Sequence, residues 1–279
     1  MGASIFSLFL LGYLGVCAYL YLMQEEKVFV PKTRMEETPA QWGLDYADVH
    51  LTSEGLRLHG WWLPGKTETP VILFLHGNAT NVARQPEFAL WFHQVGWPTL
   101  MIDYRGYGKS EGQPSEAGLY ADALTAWDYL VQEKGIPAEK IIIYGHSLGT
   151  GVASWLATRR EPGGVLLEGG FTSVPDRAAE IYPLLPVRWL SHIDFGNRSR
   201  VAQIRAPLLV VHSREDTVIP FHHGEQLFAA ANSTQKMFLE IVGEHKYAFA
   251  RWPGSVDAMH TFGKVVVERG SHKNHQPGR

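Results

Sequence analysis

Ile141-Ile142-Ile143-Tyr144-Gly145-His146-Ser147-Leu148-Gly149-Thr150-Gly151 is a short β-branched apolar run, then Gly-x-Ser-x-Gly, then small residues that open a helical pattern. The run Ile141 to Tyr144 reads as a strand buried on both faces, because a half-exposed strand would alternate with polar residues. The segment from Leu148 to Arg160 reads as a helix packed tightly from its first turn. Between them lies a strand-to-helix turn with Ser147 at its apex. Such a turn holds its serine in a strained conformation with neighbours crowded close, which is why glycines flank it. The hydroxyl is left exposed above the sheet edge, and the helix N-terminus behind it favours developing negative charge.

Outward from this turn, strands and helices alternate. Tyr46–Leu51 and Leu56–Leu63 are alternating segments joined by the turn Thr52-Ser53-Glu54-Gly55, and read as a hairpin. Val71–Leu75 is a buried strand ending in His76-Gly77-Asn78-Ala79-Thr80-Asn81, and a helix follows to about Val95. Pro98–Ile102 is the next strand, and Ala117–Lys134 has helical periodicity before Ile136-Pro137 breaks it. After the serine turn come a strand at Gly164–Leu167, a strand at Pro207–His212, a helix at Pro220–Ala231, a last strand at Met237–Val242 and a closing helix at Ser255–Glu268. Residues 174–200 are irregular and rich in Pro, Trp, Tyr and Leu, so they read as a short lid over the site. This alternation predicts an α/β fold with a mostly parallel sheet and helices on both faces. Residues 44–268 form one domain, 25–43 a polar connector and 269–279 a polar, disordered tail.

Phe74-Leu75-His76-Gly77-Asn78-Ala79, Asp103–Gly112, Gly145–Gly149 and Arg214–Pro220 together resemble the α/β-hydrolase superfamily, from about Leu44 to Glu268. Within it, the chain is most similar to the membrane-anchored Bem46/ABHD13-like group, with lysophospholipase-like and monoacylglycerol-lipase-like relatives nearby. The resemblance implies an α/β-hydrolase fold with Gly145–Gly149 as its nucleophile elbow, and serine-hydrolase activity. A serine hydroxyl needs a base in hydrogen-bond reach, itself oriented by an acid. In this fold the order along the chain is Ser, acid, His. Asp216, in Arg214-Glu215-Asp216-Thr217-Val218-Ile219-Pro220, is the acid, and His245, in Gly243-Glu244-His245-Lys246, is the base. Relatives commonly carry Gly-x-Gly-His or Gly-Asp-His-Asn at that place, so Glu244 and Lys246 are departures that can perturb the histidine. Glu168 ends the strand after the elbow helix, where some lipases carry the acid, and is the rival to Asp216. The backbone N–H of Leu148 is one oxyanion donor. By resemblance at His76-Gly77, the other is that of Asn78 or Ala79. His76 and His146 read as packing groups beside the site, His212 as a core histidine, and His222 and His223 as surface residues. The Asp103–Ser110 run has a Gly-x-Gly look, but no Gly-Lys-Ser/Thr follows in frame, so it reads as a structural loop rather than a phosphate site.

The composition sets limits on function. The chain has 279 residues and a formal charge of −3, so it has room for a substantial core and no broad basic field for nucleic acid. Its single cysteine, Cys17, excludes an internal disulfide framework and a cysteine-based zinc site. The 13 histidines are scattered without a ligand pair, and no cofactor or metal is expected. From Ala3 to Met23 there is no charged residue, which is about the length that crosses a hydrocarbon core of roughly 30 Å. Tyr19 and Tyr21 suit an interfacial belt. The run is longer than a signal-peptide core and lacks a basic flank or an Ala-x-Ala site, so residues 1–24 read as an uncleaved single-pass anchor. The expected protein is a membrane-anchored serine hydrolase acting on carboxylic or thioester bonds of lipid-like acyl substrates. A small-ester carboxylesterase, a serine peptidase of this fold and a non-catalytic scaffold are the rivals.

Overall fold

The structure, a computed structural model, describes residues 2–274. Its strands are β1 (Ala47–Ser53), β2 (Leu56–Leu63), β3 (Val71–Leu75), β4 (Thr99–Asp103), β5 (Ile141–His146), β6 (Gly164–Glu168), β7 (Leu208–Ser213) and β8 (Lys236–Ile241). They form one sheet in the order β1-β2-β4-β3-β5-β6-β7-β8. β2 is antiparallel to both its neighbours, and every pairing from β4 to β8 is parallel. The chain leaves β3 toward β4 on one side, then crosses to β5 on the other. Such a reversal opens a crevice beyond the carboxyl ends of the two strands, where ligands bind in open α/β sheets. Gly77 follows β3 and Ser147 follows β5, so both stand at that crevice.

The helices are α1 (Gly2–Leu22), α2 (Gln24–Val28), α3 (Pro86–Val95), α4 (Glu116–Asp128), α5 (Leu148–Arg159), α6 (Val174–Ile181), α7 (Val187–Leu190), α8 (Asn197–Val201), α9 (His222–Ala230), α10 (Ala248–Arg251) and α11 (Ser255–Asn274). Strand residues divide by parity, since successive side chains point to opposite faces. Ile72, Phe74, Ile142 and Tyr144 meet Phe88 and Phe92 of α3, Phe249 of α10 and Phe262 of α11. Leu73, Leu75, Ile141 and Ile143 meet Leu119 of α4, Val152 and Leu156 of α5 and Leu227 of α9. Both faces of the central strands are covered, which is why they read as unbroken apolar runs.

Three stretches differ from the sequence-based expectation. Residues 25–43 are not a free connector, because they lie along the domain. Phe29 is buried and meets the ring of Phe195 at 6.1 Å between centroids. The Asn81 side-chain amide donates to the carbonyls of Lys32 and Arg34 at 2.8 and 2.9 Å. The apolar Val28-Phe29 pair supplies the reason: Phe29 is buried in the core and Val28 packs against it. The lid segment is not irregular but holds α6, α7 and α8, and only its first part overhangs the site. Phe195 and Asn197 are fully buried, so the last part is core. The closing helix continues to Asn274 instead of yielding to a tail at residue 269. Gly270 costs about 1 kcal/mol there and does not break it. Residues 275–279 of the expected tail lie outside the described residues.

Candidate active site

The turn between β5 and α5 is built by small residues. Ser147 has φ 53° and ψ −118°, a conformation that L residues adopt only when their surroundings impose it. A Cβ at Gly149 would stand 2.0 Å from the carbonyl oxygen of Leu75, and one at Gly145 would stand 2.4 Å from the carbonyl of Gly149. Glycine at both places lets α5 close onto the sheet behind the serine. A Cβ at Gly77 would come within 3.0 Å of the Cβ of Ser147, so this glycine brings the β3 loop up to the hydroxyl.

The three residues named from the sequence meet at this point. Ser147 Oγ lies 2.8 Å from His245 Nε2. His245 Nδ1 lies 2.6 Å from Asp216 Oδ2. The other Asp216 oxygen accepts the backbone N–H groups of Val218 and Ile219, each at 2.8 Å. Burial pushes the Asp216 carboxyl up, but the His245 hydrogen bond and charge and those two N–H groups outweigh it and hold the group below its ordinary value. Asp216 is therefore an anion, its oxygens are taken, and it draws a proton onto Nδ1. That leaves Nε2 with a lone pair facing the serine hydroxyl, the geometry of a base ready to accept a proton.

Lys246 makes its contacts away from the histidine. Lys246 turns toward the Arg84 carbonyl and lies over the Tyr247 ring at 4.5 Å. Glu168, the rival acid, is buried beside the site, but its carboxyl oxygens are bonded to other groups than His245. One of its oxygens accepts the Tyr144 hydroxyl, and the other accepts the Phe249 N–H at 3.0 Å. Burial pushes its carboxyl up to about 7, against the pull of those two bonds. His146 packs 5.3 Å from the His245 ring and lies 3.2 Å from the His245 carbonyl through Nε2; burial presses it down to about 3, so it stays neutral.

The backbone N–H of Leu148 is the first of α5, one of the groups at a helix start without an intrahelical acceptor. Across from it, Ala79 has a left-handed backbone, φ 54°. The side chain of Asn78 is tied to the N-terminal segment and to Tyr107: Nδ2 donates to the Val28 carbonyl at 2.6 Å, and Oδ1 accepts the Val30 N–H and the Tyr107 hydroxyl, each at 2.9 Å. This clamp was invisible in the sequence. Only the apolar Val28-Phe29-Val30, sitting inside a polar connector, hinted at it.

His212 is a core residue as expected, its Nε2 2.9 Å from the Ile219 carbonyl. His223 is not a surface residue: it is buried, while His222 is exposed. Both histidines turn to Glu180 of α6, with Nε2 to carboxylate distances of 2.8 Å for His222 and 3.1 Å for His223. The three could in principle gather a cation. The Thr172 N–H donates to His223 Nδ1, however, which places that ring's proton on Nε2 toward Glu180 and leaves no lone pair for a metal. The Asp103 loop is structural: Val82 donates to Asp103 at 2.8 Å, and Arg105 pairs with Asp122 at 2.8 Å.

Over Ser147 lies a cavity of about 330 Å³. It is walled by Phe171, Ile181, Val187, Leu190 and Ile219, and its charged lining residues are Lys27 and Arg177. A nucleophile–base–acid chain at the floor of an apolar cavity, with its acid buried and a helix N-terminus beside it, can carry out acyl transfer.

Known proteins share this fold and part of this sequence. Residues 66–194 match the family described as Serine aminopeptidase, S33. The α/β hydrolase domain-containing protein WAV2 of Arabidopsis thaliana is 34% identical over 253 residues, covering 80% of this chain and 81% of that protein. The lysophosphatidylserine lipase ABHD12 of Xenopus tropicalis is 37% identical over 203 residues, which are 64% of this chain and 52% of that one. The solved esterase Pf2001 of Pyrococcus furiosus superposes with a TM-score of 0.69 over 85% of this chain and 97% of its own, at 19% identity, and so shares the fold. Identity of one residue in three across most of a relative's length leads to one conclusion: the chain belongs to the α/β-hydrolase family.

Proposed function

We propose that the protein is a membrane-anchored serine hydrolase that cleaves the ester or thioester bond of single-chain, lipid-like acyl substrates. One observation carries the reading: Ser147, His245 and Asp216 form a continuous hydrogen-bonded chain of 2.8 and 2.6 Å at the floor of an apolar cavity. Ser147 Oγ attacks the acyl carbonyl while His245 Nε2 takes its proton. The Leu148 N–H and the backbone N–H of Asn78 or Ala79 stabilise the oxyanion, each donor contributing about 3–4 kcal/mol. The protonated His245 then gives its proton to the leaving group. Water, activated by the same nitrogen, releases the acyl group from Ser147.

The choice of substrate rests on the surroundings. Helix α1 holds one apolar span, Ile5–Leu22, long enough to cross a membrane by length and composition. Leu184 and Trp189 of the lid are 87% and 91% exposed, which suits a lid lying against lipid and not against water. The cavity takes an acyl chain, and Lys27 at its lining favours an anionic head group, while Arg177 is paired with Glu180 at 2.8 Å. An aminopeptidase holds its substrate's amino group with a carboxylate, whereas the residues lining the cavity include no Asp or Glu. That favours esters over peptides, although the matching family is named for a peptidase. A lysophospholipid with an anionic head group is the reading's best substrate, in keeping with the name of the ABHD12 relative. The test is release of fatty acid from lysophosphatidylserine micelles. Turnover by the wild type, lost in His245→Ala, supports the reading; release of amino acids from a peptide library without ester cleavage contradicts it.

A further inference from the structure

One wall of the cavity, next to the lid, does not come from the hydrolase sheet. Leu20, Gln24, Lys27 and Val28, all from the junction of α1 and α2, line it together with Ser147. The junction is fixed in place at both ends. The Gln24 side chain uses both ends of its amide on the lid: Nε2 donates to the Leu190 carbonyl at 2.7 Å, and Oε1 accepts the His192 N–H at 2.9 Å. The Tyr13 hydroxyl donates to the Leu184 carbonyl at 3.2 Å, and the Tyr21 ring meets His192 edge-on at 5.5 Å. On the far side, Asn78 of the oxyanion loop holds the Val28 carbonyl and the Val30 N–H. A simple tether would need none of these contacts.

We propose that the junction of α1 and α2 is the acyl-binding wall of the active site. This rests on the hydrolase reading above and deepens it. The hydrocarbon tail of a single-chain amphiphile lies between Leu20 and Val28 on one side and Ile181 and Leu190 on the other, with its carbonyl at Ser147. The apolar surface of α1 is exposed along its length and runs into the cavity through Leu20. A tail can therefore slide from the bilayer along α1 to the serine with little of it crossing water. Gln24 is a positioning residue that holds this wall against the lid, and the anchor thereby selects chain length.

The experiment uses the full chain in detergent micelles. The readout is the ratio of kcat/KM for dodecanoyl over acetyl p-nitrophenyl esters. Leu20→Trp fills the wall and lowers the ratio by about tenfold or more, on the scale a hydrophobic pocket discriminates. Gln24→Ala lowers it through KM for the long ester. Leu20→Ala, the milder change, shifts the preferred acyl length upward. Leu11→Trp, on the exposed face of α1, keeps the wild-type ratio. A ratio unmoved by Leu20→Trp and Leu20→Ala, or lowered equally by Leu11→Trp, overturns the proposal. A second readout separates this failure from that of the hydrolase reading. In a Ser147→Ala background, displacement of a fluorescent fatty acid reports the cavity without chemistry. Binding weakened about tenfold by Leu20→Trp supports the wall even if no ester is turned over. Binding unchanged by that substitution overturns it.

Discussion

Asp216 shows how much a single residue settles. With two backbone N–H groups on one oxygen and His245 on the other, its orientation is fixed. Asp216→Asn would keep the shape but let the imidazole adopt the wrong tautomer. We expect kcat on a butyryl ester to fall by about 10⁴-fold with the thermal melt nearly unchanged, as steady-state kinetics and calorimetry would record. Glu168 gives a prediction of a different kind. Its carboxyl is raised from 4.5 to about 7, so the folded chain binds a proton there that the unfolded chain has lost. Between those values the folded state holds more protons, so stability falls as pH rises from about 4.5 to 7 and stays lowered above it. The full effect is on the order of 3 kcal/mol. Glu168→Gln, whose amide can still accept from Phe249 and donate to Tyr144, should remove that slope in melts taken between pH 5 and 8. Ser147, Asp216 and His245 were legible because each lies in a short motif at a strand end. Glu168 stood as a rival because it also ends a strand. Only tertiary packing shows that its oxygens are taken by Tyr144 and Phe249.

Among the elements, α5 depends most directly on its sequence. Gly149→Ala would push a methyl to 2.0 Å from the Leu75 carbonyl, a backbone atom that cannot step aside. The helix or β3 must shift, and we expect a loss of at least about 3 kcal/mol in urea unfolding, with activity lost in parallel. An unfolding midpoint equal to wild type would show that the elbow does not need its glycine. The long strands and helices were readable because burial on two faces or one gives distinct periods. The lid was not. Helices α6, α7 and α8 have 8, 4 and 5 residues, too short to stand without partners. Their shape is set by Tyr13 of α1 and Gln24 of α2, by Glu180 reaching α9, and by Asn197 bonding Phe171 and Thr150 in the core.

For the whole molecule, the sheet supplies a rigid floor at the β3–β5 reversal, and everything above it comes from loops, lid and the N-terminal segment. The mostly parallel sheet followed from the alternation of elements, but its strand order and the docking of residues 20–34 did not, since the docking bonds pair the side-chain amides of Gln24, Asn78 and Asn81 with main-chain groups that carry no sequence signal. Helix α1 spans 21 residues, or about 31 Å, enough for a bilayer. We therefore expect the full chain to remain in the membrane pellet after an alkaline carbonate wash and to leave it only with detergent; release by carbonate would contradict the anchor. The central claim, that Ser147 is the nucleophile of a working Ser-His-Asp site, is tested most directly by labelling with a fluorophosphonate probe, followed by peptide mapping. The account predicts a single adduct on Ser147 in the wild type, none in Ser147→Ala, and a rate slowed by about 10³-fold or more in His245→Ala. A folded wild type that takes no label, or an adduct that survives Ser147→Ala, would contradict it.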